Sequence, residues 1–352
     1  MLVVQARRAG EGACERIAAA VAVLSLPVHA RLSDHQHATV VGLIDGFIAS
    51  TEMALREILL NDDDDFPFPP EAEALIGGPE LMAAPLLAQV GMTRDSALVA
   101  AALRRADAHH VAAARAGNTA GDPVDRLRGS PDPAIADAAT ALSIAENRRL
   151  GQFQEPLLIA DDLPAALARR IVWRVAASLR RALLARPDIQ PAQFDRRISA
   201  AVLRWLANHD ESAAVEARAM LLMHRLHAAD AAYDDLIANA LEHGRLTLFI
   251  AALAVRAGLD YPEVADIIMD PARTGLTVLL RAIDMRRPQA AAILLRIDPD
   301  MPAETIERWM AAFEALDPDQ AREVLRPRRL DPDYRAAIVE LHQGIIHTGA
   351  RQ

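Results

Sequence analysis

The chain has 352 residues, of which 52% are hydrophobic and 24% charged, an ordinary globular composition that excludes disorder and collagen-like repetition. Aromatic residues make up 4%, and 48 acidic against 38 basic side chains leave a formal charge of −10. These values disfavour aromatic-rich β architectures and a phosphate-binding footprint over the whole surface, and so point to a helical protein that does not bind nucleic acid. The chain contains no lysine, so clusters of arginine carry less weight than usual as signs of phosphate or carboxylate recognition.

The lone cysteine, Cys14, excludes an intramolecular disulfide and a cysteine-rich zinc site, and it suits a reducing cytoplasm. Ile17 to Leu26 is an apolar run with Arg7, Arg8 and Arg16 before it and Val28-His29-Ala30 after it. That outline resembles a signal peptide, but Glu11 and Glu15 break the positive leader, so a buried helix is expected. No window reaches the ~18 consecutive apolar residues of a membrane span, so none is expected. Ser33-Asp34-His35-Gln36 then reads as a capping box that opens a long helix. Val40, Ile44, Phe47, Ile48, Leu55, Ile58 and Leu59 form its apolar stripe. Gly42, Gly46, Ser50 and Ala54 form a ridge of small residues that admits a second helix, either in a helical hairpin or across a homodimer seam at Gly42 and Gly46. His35 and His37 are the candidates for a phosphotransfer role, since an exposed imidazole can accept a phosphoryl group.

Asn61-Asp62-Asp63-Asp64-Asp65-Phe66-Pro67-Phe68-Pro69-Pro70 ends the helix, because four adjacent carboxylates repel one another and the prolines cannot continue it. The run lacks the alternating carboxylates and central glycine of a calcium loop. The expected organisation is an N-terminal helical segment over residues 1–60, an acidic Pro-rich linker over 61–79 and a helical array over 80–352. In the array, Asp-Pro pairs at Asp122, Asp132, Asp270, Asp298, Asp317 and Asp331 read as helix starts, with aspartate capping and proline at the first helical position. Gly244 and Gly258 read as the residues that stop helices. The fold class is therefore all-α, with the array forming either a HEAT-like α-solenoid or an irregular helical bundle.

The segment from Asp161-Asp162-Leu163-Pro164 through Ile171-Val172-Trp173-Arg174 to Arg180 resembles a family of uncharacterised alphaproteobacterial proteins classed as a domain of unknown function. Leu241-Glu242-His243-Gly244-Arg245-Leu246, followed by Phe249, Leu253, Gly258 and Val264, is similar to that family's downstream pattern. The resemblance implies a helical, repeat-like protein and supplies no catalytic residues.

Two constellations remain. Arg169 and Arg180 fall four before and seven after Trp173 on one helical stripe, opposite Leu167, Ile171, Val175 and Leu179, and arginines beside an indole suit an anionic ligand or an acidic partner motif. His224 and His227 share a helix face, and Asp230 and Asp234 follow within two turns, which makes His224, His227 and Asp230 a metal candidate of weak spacing that matches no zincin pattern. No phosphate loop, nucleophile elbow or dinucleotide fingerprint occurs, and Gly10-Glu11-Gly12 has no strand before it. The sequence thus leads to a non-catalytic, cytoplasmic interaction or regulatory scaffold without a cofactor, whose partner is another protein or a second copy. The alternatives are a small-ligand or phosphotransfer sensor and then a metal-dependent enzyme.

Overall fold

The computed structural model describes residues 34–61, 68–114, 121–185, 190–229, 233–270, 273–297, 301–331 and isolated positions between 334 and 341. The protein is all-α, and among the described residues there is no strand; one isolated antiparallel bridge joins Leu150 to Pro156. Packing divides the described chain into two compact units interleaved in sequence, one of residues 34–110 and 141–218 and the other of residues 111–140 and 219 onward.

The first unit opens with α1 (Asp34–Leu60). It buries Val40, Leu43, Ile44, Phe47, Ile48, Leu55 and Leu59, the stripe expected from apolar spacing with Leu43 added and Ile58 only half-buried. Ser33, the proposed cap, lies outside the described residues. Next come α2 (Pro70–Ile76) and α3 (Ala83–Gln89), so the second half of the expected linker contains a helix. Pro70 occupies its first position, where proline's missing N–H is harmless and its fixed φ is already helical. After a 3-10 turn come α4 (Ser96–Ala114), which belongs to this unit as far as residue 110, and the last turns of α6 (Pro133–Asn147). Two long amphipathic helices complete the unit, α7 (Ala165–Leu183) and α8 (Pro191–Ala207). Helix α1 packs on α7, α8 and α3, and α7 also packs on α8 and α3. The division by packing is therefore a different one from the linear division at residues 61–79, since α1 and the two long helices share one core.

A buried ion pair ties α1 to α3. Glu52 and Arg56 lie one helical turn apart with side chains 0% and 6% exposed. The Glu52 carboxylate accepts the backbone N–H groups of Met82 (2.9 Å) and Ala83 (2.7 Å), at the start of α3. Arg56 donates to Glu52 and to the carbonyls of Gly78 and Glu80. Each charge is thus paired and hydrogen-bonded, the condition under which ions are tolerated in a core.

The second unit contains α5 (Pro123–Arg128), most of α9 (Val215–Ala228), then α10 (Tyr233–Glu242), α11 (Leu246–Ala257), α12 (Tyr261–Met269), α13 (Thr274–Ala282), α14 (Arg287–Ile297), α15 (Ala303–Ala315) and α16 (Pro318–Leu325). Every residue of α11 from Leu246 to Ala254 is buried, as expected of a helix that is apolar around its whole circumference. Helices α10, α11, α12 and α13 pack in sequence, while α14 returns to α10 and α16 to α13. Asp122, Asp132 and Asp317 each accept a backbone N–H from the first turn that follows, as expected of Asp-Pro starts. Asp270 instead ends α12, and α13 opens from Arg273 in a left-handed conformation (φ 55°). Gly244 (φ 71°) and Gly258 (φ 63°) stop their helices as predicted. The N–H groups of Arg245 and Leu259 reach back to Ala240 and Ala254 at 2.8 and 3.0 Å, which satisfies carbonyls left open at the helix ends.

Candidate interaction surface

The outer arc of α7 gathers the arginines and tryptophan singled out from sequence. Leu167, Ala168, Ile171, Val172, Val175, Ala176, Ser178, Leu179 and Leu183 are buried, which fixes the helix's orientation on the core. At about 100° per residue, Arg169, Trp173 and Arg180 then fall together on the solvent side. Arg169 and Arg180 are exposed, and Trp173 is half-buried, with its indole packed against the unit's core. Trp173 is therefore partly a packing residue and partly a surface one.

Helix α7 carries five arginines and no acidic residue, and α8 carries three arginines and a single carboxylate, Asp195. Arg180 binds that carboxylate through both arms, Nε to Oδ1 at 2.6 Å and Nη2 to Oδ2 at 3.0 Å. This contact holds the Asp195 carboxyl below its ordinary range. Arg170 meets Asp95 at 2.8 and 3.0 Å, and Arg174 approaches the same carboxylate at 3.6 Å. Arg169, Arg181 and Arg196 are exposed, and no carboxylate among the described residues pairs with them.

The remaining candidates are placed separately. Gly42 and Gly46 are exposed on α1, and a Cβ built on either meets nothing within 4 Å, so no helix of the described chain packs on that ridge as a hairpin partner would. Residues Gln36–Leu60 form a helix that is, by length and composition, long and apolar enough to cross a membrane, although 44% of its most apolar window is buried inside the fold. The sequence criterion of unbroken apolar residues passed over it because Asp45 and Glu52 interrupt the run. His224 and His227 are both exposed on α9. Asp230 lies outside the described residues, as do Cys14 and the run from Ile17 to Leu26, and the side chains of His35 and Asp234 are likewise not described. Among the described residues, no group of three or more His, Cys, Asp or Glu is placed to hold a metal ion. His37 is half-buried.

Sequence reasoning missed a buried polar network at the junction of α4, the end of α6 and the start of α9. Arg149, fully buried, donates through Nε to Asp162 Oδ1 at 2.6 Å and through Nη2 to the carbonyl of Ala213 at 3.2 Å, with a further bond to the carbonyl of Ala145. Arg105 donates to the carbonyls of Leu157 (3.1 Å) and Arg149 (3.0 Å), so two arginines hold the irregular segment between α6 and α7. Burial pushes the Glu216 carboxyl up from its ordinary value, and the neighbouring charge of Asp162 adds to the shift. Burial likewise lowers the Arg105 guanidinium. These residues are scattered over more than a hundred positions, and no local spacing joins them. Within the held segment, a loop closed by the Leu150–Pro156 bridge carries Phe153 at its tip, 85% exposed.

Residues 79–326 match the model of a bacterial family, described as an uncharacterised protein conserved in bacteria (DUF2336). That match takes in more than two thirds of the chain, including both segments that carry the family resemblance. The chain belongs to this family. No curated protein and no solved structure matches it. The matched region includes all of α7 and α8, so these two arginine-rich helices lie within the family's domain, whereas α1 precedes it.

Proposed function

We propose that the protein is a non-catalytic protein–protein interaction or regulatory scaffold, with Arg169, Trp173 and Arg180 on its contact surface. The observation that supports this reading is the outer arc of α7, where exposed arginines share a helix side with a half-buried indole and the opposite face is fixed in the core. Arginine and tryptophan are the side chains most enriched among residues that dominate binding energy, because each combines a large contact area with directional polar contacts. A helix anchored along its inner face presents those groups with little ordering cost. The reading places the protein in the cytoplasm and, within its family, among alphaproteobacterial members, to which the segments at 161–180 and 241–264 are similar.

The test is quantitative affinity co-purification of the full chain from its native host, washed at low and high salt and compared with Trp173→Ala. A stoichiometric partner that is lost in the variant, with far-UV circular dichroism unchanged and Tm lowered by no more than the lost packing of the half-buried indole, supports the reading. If the protein emerges alone under every condition, the reading fails.

A further inference from the structure

The charges on α7 have an arrangement as well as a number. Successive residues advance about 100° around a helix, which sorts the exposed positions into three rows. Ala166, Trp173 and Ala177 make a central row; Arg169 and Arg180 flank it on one side, and Arg170, Arg174 and Arg181 on the other. The central row is low, because two of its three members are alanine and the third is folded half into the core. Exposed arginines lie on both sides of it. From Arg169 to Arg181 the rails run for about 18 Å at 1.5 Å per residue.

Rails of net positive charge around a narrow floor fit a rod better than a plane. A flat anionic bilayer would reach the arginines but not the floor, while a second helix laid along it would place small or apolar side chains on Ala166, Trp173 and Ala177 and carboxylates against both rails. The surface already accepts carboxylates in this manner, since Asp95 and Asp195 are each held by an arginine of α7 through two contacts. Arg169 and Arg181, at opposite ends of the rails, have no carboxylate among the described residues. We infer that the outer face of α7 is a docking trough for an acidic amphipathic helix of a partner protein, with an apolar seam flanked on both sides by Asp or Glu. This inference rests on the interaction reading above and names the chemistry of its partner.

The experiment uses the full chain and a fluorescein-labelled helical peptide of about three heptads, with Ala and Leu along one seam and Glu on both flanks, followed by fluorescence anisotropy. Binding is expected to weaken as salt rises. Arg169→Glu with Arg181→Glu should weaken it about tenfold or more, while Arg126→Glu with Arg225→Glu, the same change in net charge on exposed positions of α5 and α9, should leave it within about twofold. Circular dichroism and Tm establish that both double variants fold. The inference is overturned if the peptide does not bind, if both pairs weaken it equally, or if phosphatidylglycerol vesicles or duplex DNA bind more tightly through Arg169 and Arg181 than the peptide does. A native partner that is captured but not released by the Arg169/Arg181 reversal also overturns it while leaving the interaction reading standing. Absence of any native partner removes that reading itself.

Discussion

Arg149 is the side chain whose loss should be felt most. It is 0% exposed, its partner Asp162 is 4% exposed, and its guanidinium also satisfies the carbonyls of Ala145 and Ala213. Replacement by methionine preserves much of the volume but leaves the Asp162 carboxylate buried beside Glu216 without its cation. Removing one partner of a buried ion pair costs about 3–5 kcal/mol, most of it the penalty for the charge left behind. Asp162→Asn keeps an acceptor for Arg149 but leaves its fully buried guanidinium without the counter-charge, so the same penalty of about 3–5 kcal/mol applies. In the double variant no isolated carboxylate remains at position 162, so its cost should fall short of the sum of the single costs by about 1–3 kcal/mol. Urea unfolding followed by tryptophan fluorescence in a Trp309→Phe background measures this, because Trp173 and Trp205 both lie in the unit that holds the network. A single-variant cost no larger than that of a surface substitution, or costs that add within about 0.5 kcal/mol, would refute the account of Arg149 as a buried charge held by its partner.

The Glu216 carboxyl, raised from an ordinary 4.5 mainly by burial, gives a pH prediction of definite sign. The folded state holds this proton more tightly than the unfolded state does, so stability falls as pH rises from about 4.5 through the raised value and the full penalty persists above it. Glu216→Gln should therefore raise Tm at pH 8 and flatten its decline between acid and neutral pH; an unchanged profile would show that the carboxyl is solvated. Gly258 sits at φ 63° and Gly42 in an open helical position, so alanine should have opposite effects at the two sites. Gly258→Ala should destabilise by about 1 kcal/mol and Gly42→Ala stabilise by about 0.5–1 kcal/mol, both read from denaturant midpoints. If Gly42 and Gly46 form a dimer seam, light scattering at tens of micromolar should give twice the 38.1 kDa chain mass, and Gly46→Leu should return it to the monomer. A monomer mass for the unaltered chain removes the seam.

Much of the fold could be read along the chain because its signals are local. The apolar stripe from Val40 to Leu59, the caps at Asp122, Asp132 and Asp317, and the stops at Gly244 and Gly258 all depend on residues within one or two helical turns, where the period of the helix and the geometry of its ends dictate residue type. The orientation of α7 was legible for the same reason, and with it the common stripe of Arg169, Trp173 and Arg180. Pro70 shows where a local signal has two meanings: proline ends one helix and starts the next equally well. Sequence could not decide which surface a helix keeps once its neighbours arrive. The small ridge of α1 predicts a close partner, yet among the described residues nothing packs on Gly42 and Gly46, and the opposite face of the helix packs on α7 and α8. Nor could it find Arg105, Arg149, Asp162 and Glu216, because a buried charge is tolerated only where distant carbonyls and counter-charges converge on it. The sequence alone determined helix positions and faces through interactions over a few residues, whereas the tertiary structure alone decided which faces were buried, which charges were paired and which arginines were left for solvent.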